Sequence, residues 1–228
     1  MNFLVLLVVL ALVNGAVAFS SSASKKVSTR LNAKSKSVPF LEQPKALDGK
    51  APGDVGFDPL GFTDMWKDKD WSTQVVPDFW NDETPRTPIS TKTWMQEAEI
   101  KHGRISMMAV VGWLAVDSGI RFPGSPYGSI ANSVSAHAAG VENGSLGFML
   151  FVISVFEFAS GAAIYDQAKG SGRMPGDFGF DPLGFGKDAT KLQRYRTNEV
   201  KNGRLAMLAF SGIVTQAVLF PDRAFPYF

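Results

Sequence analysis

The chain repeats itself in two places, and this duplication constrains its fold more than any other feature of the sequence. Residues 99–112 align with residues 199–212 at an offset of 100, and seven of the fourteen positions are identical. Upstream of each copy, residues 52–62 match residues 175–185 at ten of eleven positions. Each copy therefore consists of a turn-rich loop followed by a helix, and we expect the two copies to adopt the same structure.

Three apolar stretches predict membrane helices, at 105–120, 146–164 and 205–221. As helices, the first and third are about 24–26 Å long, which is less than the roughly 30 Å of a bilayer's hydrocarbon core. Their charged lead-ins must therefore enter the membrane as well. We predict an all-α membrane protein with three transmembrane helices, in which the first and third cross as a pseudo-two-fold pair and the middle helix is separate. The predicted helices cover about 91–118, 145–167 and 190–220.

Four charges fall at matched depths in the two copies, Glu99 and Arg104 in the first and Glu199 and Arg204 in the second. Residues five apart are separated by about 140° around a helix, so each glutamate is poorly placed for the arginine of its own copy. Pairing across the repeat, Glu99 with Arg204 and Glu199 with Arg104, neutralises both and joins the two helices. The small residues expected to allow close approach of the two backbones are Gly103 with Gly203 and Gly112 with Gly212.

The same segments carry isolated lone-pair donors. His102 follows Glu99 by three residues and Asn202 follows Glu199 by three, so each pair shares one side of its helix. Magnesium prefers such hard donors, and a magnesium ion held in a porphyrin-type ring needs only one axial ligand from protein. The alternative is that these polar side chains only hold the helices together, without any pigment.

At this point the sequence resembles the chlorophyll a/b-binding superfamily, and within it the red-lineage fucoxanthin–chlorophyll a/c antennae. The resemblance is carried by Glu-x-x-His-x-Arg at 99–104, Glu-x-x-Asn-x-Arg at 199–204 and the doubled Gly-Phe-Asp-Pro-Leu-Gly-Phe, and it covers about residues 40–220. It implies the same two Glu–Arg pairs, and it implies axial chlorophyll ligands at Glu99, His102, Glu157, Glu199, Asn202 and Gln216.

Some positions depart from the family pattern or have competing interpretations. Plant relatives place an arginine three residues after the middle-helix glutamate, where this chain has Ser160, so Glu157 is expected to be protonated or paired differently. His137, in the loop between the first two spans, is a further candidate ligand whose alternative is a solvent-facing histidine. The loops that resemble carotenoid-contact segments contain Asp58, Pro59, Leu60, Asp181, Pro182 and Leu183, and these residues are also ordinary turn formers.

The N-terminal segment has the composition of a two-part targeting sequence. Residues 1–18 combine an apolar run with Ala16-Val17-Ala18 and predict a secretory signal peptide, whereas residues 19–36 are basic, Ser-rich and free of acid, as in transit peptides. Ala-Val-Ala-Phe at 16–19 resembles the cleavage motif of bipartite presequences of red-derived plastids. The alternative is a secreted protein with an N-terminal arm. Residues 37–228 then form the three-helix light-harvesting domain, with 18 basic and 21 acidic residues, which argues against nucleic-acid binding.

The distribution of basic residues predicts the orientation. The loop 121–144 has a single basic residue, Arg121, whereas the segments before the first span and between the second and third are rich in lysine and arginine. Those segments are expected on the stromal side, with the N-terminus.

The resemblance implies a light-harvesting antenna rather than an enzyme. Its expected pigments are chlorophyll a, chlorophyll c and a carotenoid such as fucoxanthin or a related xanthophyll. The expected partners are the thylakoid membrane, other antenna subunits and a photosystem core, I rather than II. One alternative is a photoprotective quencher of the same family that senses acidity through Asp117, Glu142 and Asp222. Another is a small transporter or channel with charges lining a path.

Overall fold

The described part of the chain is built from helices. The computed structural model describes residues 34–72, 87–220, 225 and 227. Its helices are α1 (Phe62–Met65), α2 (Thr91–Asp117), α3 (Ser125–Gly128), α4 (Ser133–Glu142), α5 (Ser145–Ala168) and α6 (Ala189–Leu219), with a 3₁₀ turn at Phe185–Lys187. Within these residues there is no strand beyond an isolated bridge between Lys34 and Glu42, which confirms the predicted all-helical character. The predicted signal peptide and all but the last three residues of the transit segment lie outside the described residues.

Side-chain caps fix where the two duplicated helices begin. The Ser90 side chain accepts a hydrogen bond from the Thr93 backbone N–H before α2, and the Asp188 side chain accepts from Thr190 and Lys191 before α6. The helices are 27 and 31 residues long, which corresponds to roughly 40 and 46 Å. Both therefore include their polar lead-ins and exceed the thickness of a hydrocarbon core.

The middle helix differs from the other two in its composition. Helix α5 has a mean hydropathy of 1.9 over its most apolar window, of which only 6% is buried within the protein. Among the described helices it is the one that is long and apolar enough to cross a membrane by these two measures. Helices α2 and α6 carry most of their charges in the first half, and these charges lower their mean hydropathy.

Helices α2 and α6 approach most closely at a pair of glycines. A Cβ atom added to either Gly103 or Gly203 would lie 3.0 Å from the Cα of the other. The expectation of a second close approach at Gly112 and Gly212 is wrong, because a Cβ at either position would meet no heavy atom within 4 Å. Helices packed at an angle touch near one point, and Gly112 is nine residues, about 14 Å, beyond it.

The segment between α2 and α5 is more ordered than a loop. Helix α4 begins with a capping box, in which Asn132 and Ser135 satisfy each other's backbone N–H groups. The Ser133 hydroxyl donates to the Asp117 carboxylate at 2.7 Å and thereby anchors α4 to the end of α2. The prediction of a loop for this segment was therefore wrong. Helix α4 is fixed by hydrogen bonds of short polar side chains, and these produce no helical periodicity of apolar residues in the sequence.

Each duplicated loop packs against the helix of the other copy. Gly53, in the first loop, lies so close to α6 that an added Cβ would be 2.7 Å from the Val200 side chain. Gly176, in the second loop, lies equally close to α2, 2.8 Å from Ile100. Gly53 matches Gly176 and Val200 matches Ile100 in the repeat, so the two contacts are equivalent.

Candidate functional site

Two Glu–Arg pairs join α2 to α6 on either side of the glycine contact. Arg104 Nε donates to Glu199 Oε1 at 2.6 Å, and Arg204 Nε donates to Glu99 Oε1 at 2.6 Å. The two pairs are equivalent, because the repeat aligns Glu99 with Glu199 and Arg104 with Arg204. The glutamate side chains remain 31–32% exposed, so each carboxylate is neutralised and still accessible from outside the helix pair.

The two pairs differ in their remaining contacts. Arg204 Nη2 also reaches Glu99 Oε2 at 3.3 Å, and its Nη1 donates to the Gly53 carbonyl in the first loop at 2.8 Å. Among the described residues, Glu199 Oε2 receives no hydrogen bond. A whole carboxylate oxygen of Glu199 is therefore available for another partner, whereas both oxygens of Glu99 already accept one bond and retain further lone pairs.

His102 is held in one tautomer by its own helix. Its Nδ1 lies 2.7 Å from the Ala98 carbonyl oxygen, which can only accept, so Nδ1 carries the proton. In the neutral ring Nε2 then has a free lone pair, and this is how metal-ligating histidines are usually oriented. Asn202, at the equivalent position of α6, is exposed, and no described residue forms a hydrogen bond with its side chain.

Glu157 in α5 has a charge partner that the sequence patterns did not reveal. Lys101 Nζ donates to Glu157 Oε2 at 2.7 Å, and it also donates to the Ser160 hydroxyl at 2.7 Å. A paired carboxylate was one of the two expected alternatives. A signal existed, because Glu157 is the one acid of the middle apolar stretch and Lys101 lies in the charged lead-in of the first, where a lysine that enters the membrane needs a counter-charge.

The other candidate ligands lie apart from these pairs. Gln216 is exposed in the last turn of α6, and His137 is exposed on α4 instead of in a loop as expected. Among the residues the structure describes, no group of three or more His, Asp or Glu side chains is arranged to hold a metal ion. A metal already held in a macrocycle does not require such a group, because it needs only one donor from the protein.

The aspartates of the duplicated loops close their own loops. Asp58 accepts hydrogen bonds from the backbone N–H groups of Phe62 and Thr63, and Asp181 accepts them from Phe185 and Gly186. Burial raises the pKa of Asp58, but the hydrogen bonds from Thr63, Phe62 and Gly61 together outweigh it and hold that pKa below its usual value. For Asp181 the backbone hydrogen bond from Gly186 is the main cause of a lowered pKa.

Closing the loops in this way leaves their apolar residues on the surface. Leu60 is 69% exposed and Leu183 is 75% exposed, and the adjoining prolines Pro59 and Pro182 are exposed as well. An apolar ligand could cover these side chains, whereas both oxygens of each aspartate already accept hydrogen bonds from within the loop.

A groove of about 1030 Å³ lies between the second loop, α2 and α6. Glu199 and Arg104 are among its polar lining residues, together with Glu99, Asp177 and Arg196. Phe178 and Phe180 contribute apolar surface, and the Phe178 ring lies 5.6 Å from the Arg104 guanidinium carbon. Phe178 is the one position at which the two loop copies differ, because the first loop has Val55 there.

A buried ion pair that the sequence analysis missed fixes the second loop. Arg173 contacts the Glu97 carboxylate with both terminal nitrogens, at 3.0 and 3.2 Å, and also donates to Gln167. The Gly176 N–H donates to Glu97 at 2.7 Å. The repeat has Thr197 in place of Glu97, so the duplicated pattern contained no signal for this pair.

Comparisons with known proteins give one consistent family. The family model described as "Chlorophyll A-B binding protein" matches residues 43–218. Chlorophyll a-b binding protein 6 of Arabidopsis thaliana is 30% identical over 195 residues, covering 81% of this chain and 68% of that protein. Light-harvesting complex stress-related protein 1 of Chlamydomonas reinhardtii is 30% identical over 82% of this chain and 70% of its own length. A fucoxanthin-chlorophyll a-c binding protein of Chattonella marina var. antiqua is 32% identical over 70% and 63%.

Proposed function

Because the chain belongs to the chlorophyll a-b binding protein family, we propose that it is a light-harvesting antenna that passes excitation energy from its own pigments to a photosystem. Family membership confirms the resemblance read from the motifs and makes the chain a chlorophyll-binding protein rather than an enzyme. The observation that carries the antenna proposal is the pair of neutralised, accessible glutamates between α2 and α6.

The proposed arrangement has α2, α5 and α6 crossing the thylakoid membrane, with α2 and α6 as the crossed, pseudo-two-fold pair and the N-terminus on the stromal side. The lengths of α2 and α6 support it, because both exceed a hydrocarbon core. The Glu–Arg pairs support it further, since charges at mid-helix enter lipid only when they are compensated. We propose that residues 1–18 and 19–36 direct the chain to the plastid.

Chlorophyll is proposed to bind through single axial contacts to its magnesium. The ligands would be Glu99, His102, Glu157, Glu199, Asn202 and Gln216, with His137 as a further candidate. Bound chlorophyll supplies the absorption and transfer of light energy, whereas the protein fixes the spacing, orientation and surroundings of each ring. The hydrogen bond from His102 Nδ1 to Ala98 supports this role, because it leaves Nε2 free.

Carotenoids are proposed to lie against the apolar surfaces of the two loops, close to Leu60 and Leu183. The exposure of these leucines supports this placement. Similarity to a fucoxanthin-chlorophyll a-c binding protein favours chlorophyll a with chlorophyll c, and fucoxanthin or a related xanthophyll. The proposed partners are other antenna subunits and a photosystem core, I rather than II.

Pigment reconstitution tests the antenna proposal. The full chain is refolded in detergent with chlorophylls a and c and fucoxanthin, and then purified. We expect a stable coloured complex in which light absorbed by fucoxanthin produces chlorophyll a fluorescence. A Glu99→Leu, Glu199→Leu double variant is the matched control and should lose chlorophyll. Purified protein without pigment, or with pigment that does not transfer energy, would contradict the proposal.

A photoprotective quencher is the second candidate, favoured by similarity to a light-harvesting complex stress-related protein. Of the three acids expected to sense acidity, Asp117 already accepts hydrogen bonds from Ser133 and Tyr227, Glu142 is exposed, and Asp222 lies outside the described residues. For an antenna we expect the chlorophyll fluorescence lifetime of the reconstituted protein to stay constant between pH 7.5 and 5. A lifetime that shortens at pH 5 would favour the quencher.

A further inference from the structure

The carboxylate of Glu157 is held from one side only. Lys101 and Ser160 both contact Oε2, at 2.7 and 3.4 Å, and the Ser160 hydroxyl also donates to the Glu157 backbone carbonyl at 2.9 Å. Among the described residues, none donates a hydrogen bond to Oε1. The lysine therefore fixes and neutralises the carboxylate while one of its oxygens remains available.

The contact between Lys101 and Glu157 has no equivalent in the second copy of the repeat. Lys201 occupies the position equivalent to Lys101 in α6, where it is exposed and forms no ion pair with a described residue. The Lys101 side chain is 23% exposed, since it extends from α2 to α5 instead of into solvent. The contact exists in one copy because α5 has no duplicate.

We propose that Lys101 is a positioning residue for the chlorophyll bound by Glu157, because it fixes and neutralises that carboxylate from the neighbouring helix. This inference rests on the proposed function. A carboxylate without a counter-charge in an apolar environment is costly, because it has lost its hydration without gaining a partner. An ammonium group on a flexible stem can neutralise the carboxylate from the neighbouring helix without covering Oε1.

Single substitutions test whether the lysine and the glutamate serve one pigment. The full chain and its variants are refolded with chlorophylls and fucoxanthin, and bound chlorophyll is counted per protein. We expect Glu157→Leu and Lys101→Met each to bind one chlorophyll fewer, with the same band missing from the absorption spectrum. Lys101→Arg should keep that chlorophyll because the charge is retained, and Lys201→Met, the matched control, should keep all of them.

A double substitution separates charge neutralisation from a merely structural role. An amide oxygen is a neutral donor that needs no counter-charge, as is proposed for Asn202 and Gln216. We therefore expect Lys101→Met combined with Glu157→Gln to recover the chlorophyll that Lys101→Met alone loses. If Lys101 only packs α2 against α5, the double variant will bind no more chlorophyll than the single one.

The outcomes distinguish this inference from the proposed function. If Glu157→Leu keeps every chlorophyll, the ligand assignment in the proposed function fails. If Glu157→Leu loses one chlorophyll and Lys101→Met keeps it with an unchanged spectrum, the inference about Lys101 is overturned and the proposed function stands. If Lys101→Met does not refold, the double variant decides, because failure of the double variant as well would overturn the inference.

Discussion

At the scale of single residues, the two arginines that the repeat makes equivalent have different surroundings. Arg204 contacts both oxygens of Glu99 and the carbonyl of Gly53, so it joins α6 to α2 and to the first loop. Arg104 donates to Glu199 and lies near the Phe178 ring. The two arginines are equivalent in the repeat, but their contributions to stability are therefore expected to differ.

We expect Arg204→Leu to destabilise the protein more than Arg104→Leu does. Either change leaves a glutamate without its counter-charge, which costs about 3 kcal/mol at mid-membrane on insertion scales. Arg204→Leu additionally leaves the Gly53 carbonyl without its donor. The check is the temperature at which the reconstituted variants release pigment, together with their chlorophyll content.

Each variant should also lose the chlorophyll proposed for the glutamate that it leaves unpaired. Arg204→Leu should lose the one at Glu99, and Arg104→Leu the one at Glu199. If Arg204→Leu refolds with full chlorophyll content, pairing and pigment binding are independent of each other.

At the scale of helices, the packing of α2 on α6 depends on one glycine pair. Gly103 and Gly203 are buried at the closest approach, whereas Gly112, on the same helix, faces open space within the protein. The same substitution at Gly103 and at Gly112 therefore has the same effect on helix propensity but a different effect on packing.

We predict that Gly103→Val separates α2 from α6 and lowers stability by about 1–3 kcal/mol, as overpacking does elsewhere. The wider separation should also weaken the Glu–Arg pairs and reduce chlorophyll content. Gly112→Val is the control and should leave both quantities nearly unchanged. Thermal release of pigment measures the difference, and equal losses in the two variants would show that packing at Gly103 is unimportant.

At the scale of the whole molecule, each loop is bound to the helix of the other copy. Gly53 packs on Val200 and Gly176 packs on Ile100, so neither copy is complete by itself. The ion pair of Glu97 with Arg173 adds a link from α2 to the second loop. Disturbing one loop is therefore expected to loosen both copies together.

Replacing Gly53 by alanine tests this coupling. Gly53 has a φ of +74° and a Cβ there would lie 2.7 Å from Val200, whereas Gly61 has a φ of +69° and open space. Both variants carry the backbone strain of a positive φ, which exceeds about 1 kcal/mol for alanine. We expect only Gly53→Ala to lower chlorophyll content as well, with Gly61→Ala as the matched control. Equal chlorophyll content in the two would contradict the coupling.

What the sequence predicts in this protein depends on duplication. The apolar runs and their polar lead-ins predict helices at about 91–118, 145–167 and 190–220, and the structure has helices at Thr91–Asp117, Ser145–Ala168 and Ala189–Leu219. The repeat predicts the partners of Glu99 and Glu199, and in the structure each glutamate lies 2.6 Å from the arginine of the other copy. Lys101 with Glu157 and Glu97 with Arg173 have no counterpart in the other copy. Such contacts between unrepeated segments depend on tertiary packing, which periodicity does not encode.

In the proposed membrane arrangement, the pairing of α2 with α6 also constrains how the chain is inserted. Glu99 and Arg104 find their partners about a hundred residues later along the polypeptide. Whichever of the two helices inserts first exposes its glutamate and its arginine to lipid without their counter-charges until the other helix arrives. In a nascent or truncated chain that ends before α6, α2 is therefore unstable in the bilayer. This favours insertion of the complete polypeptide in one concerted step.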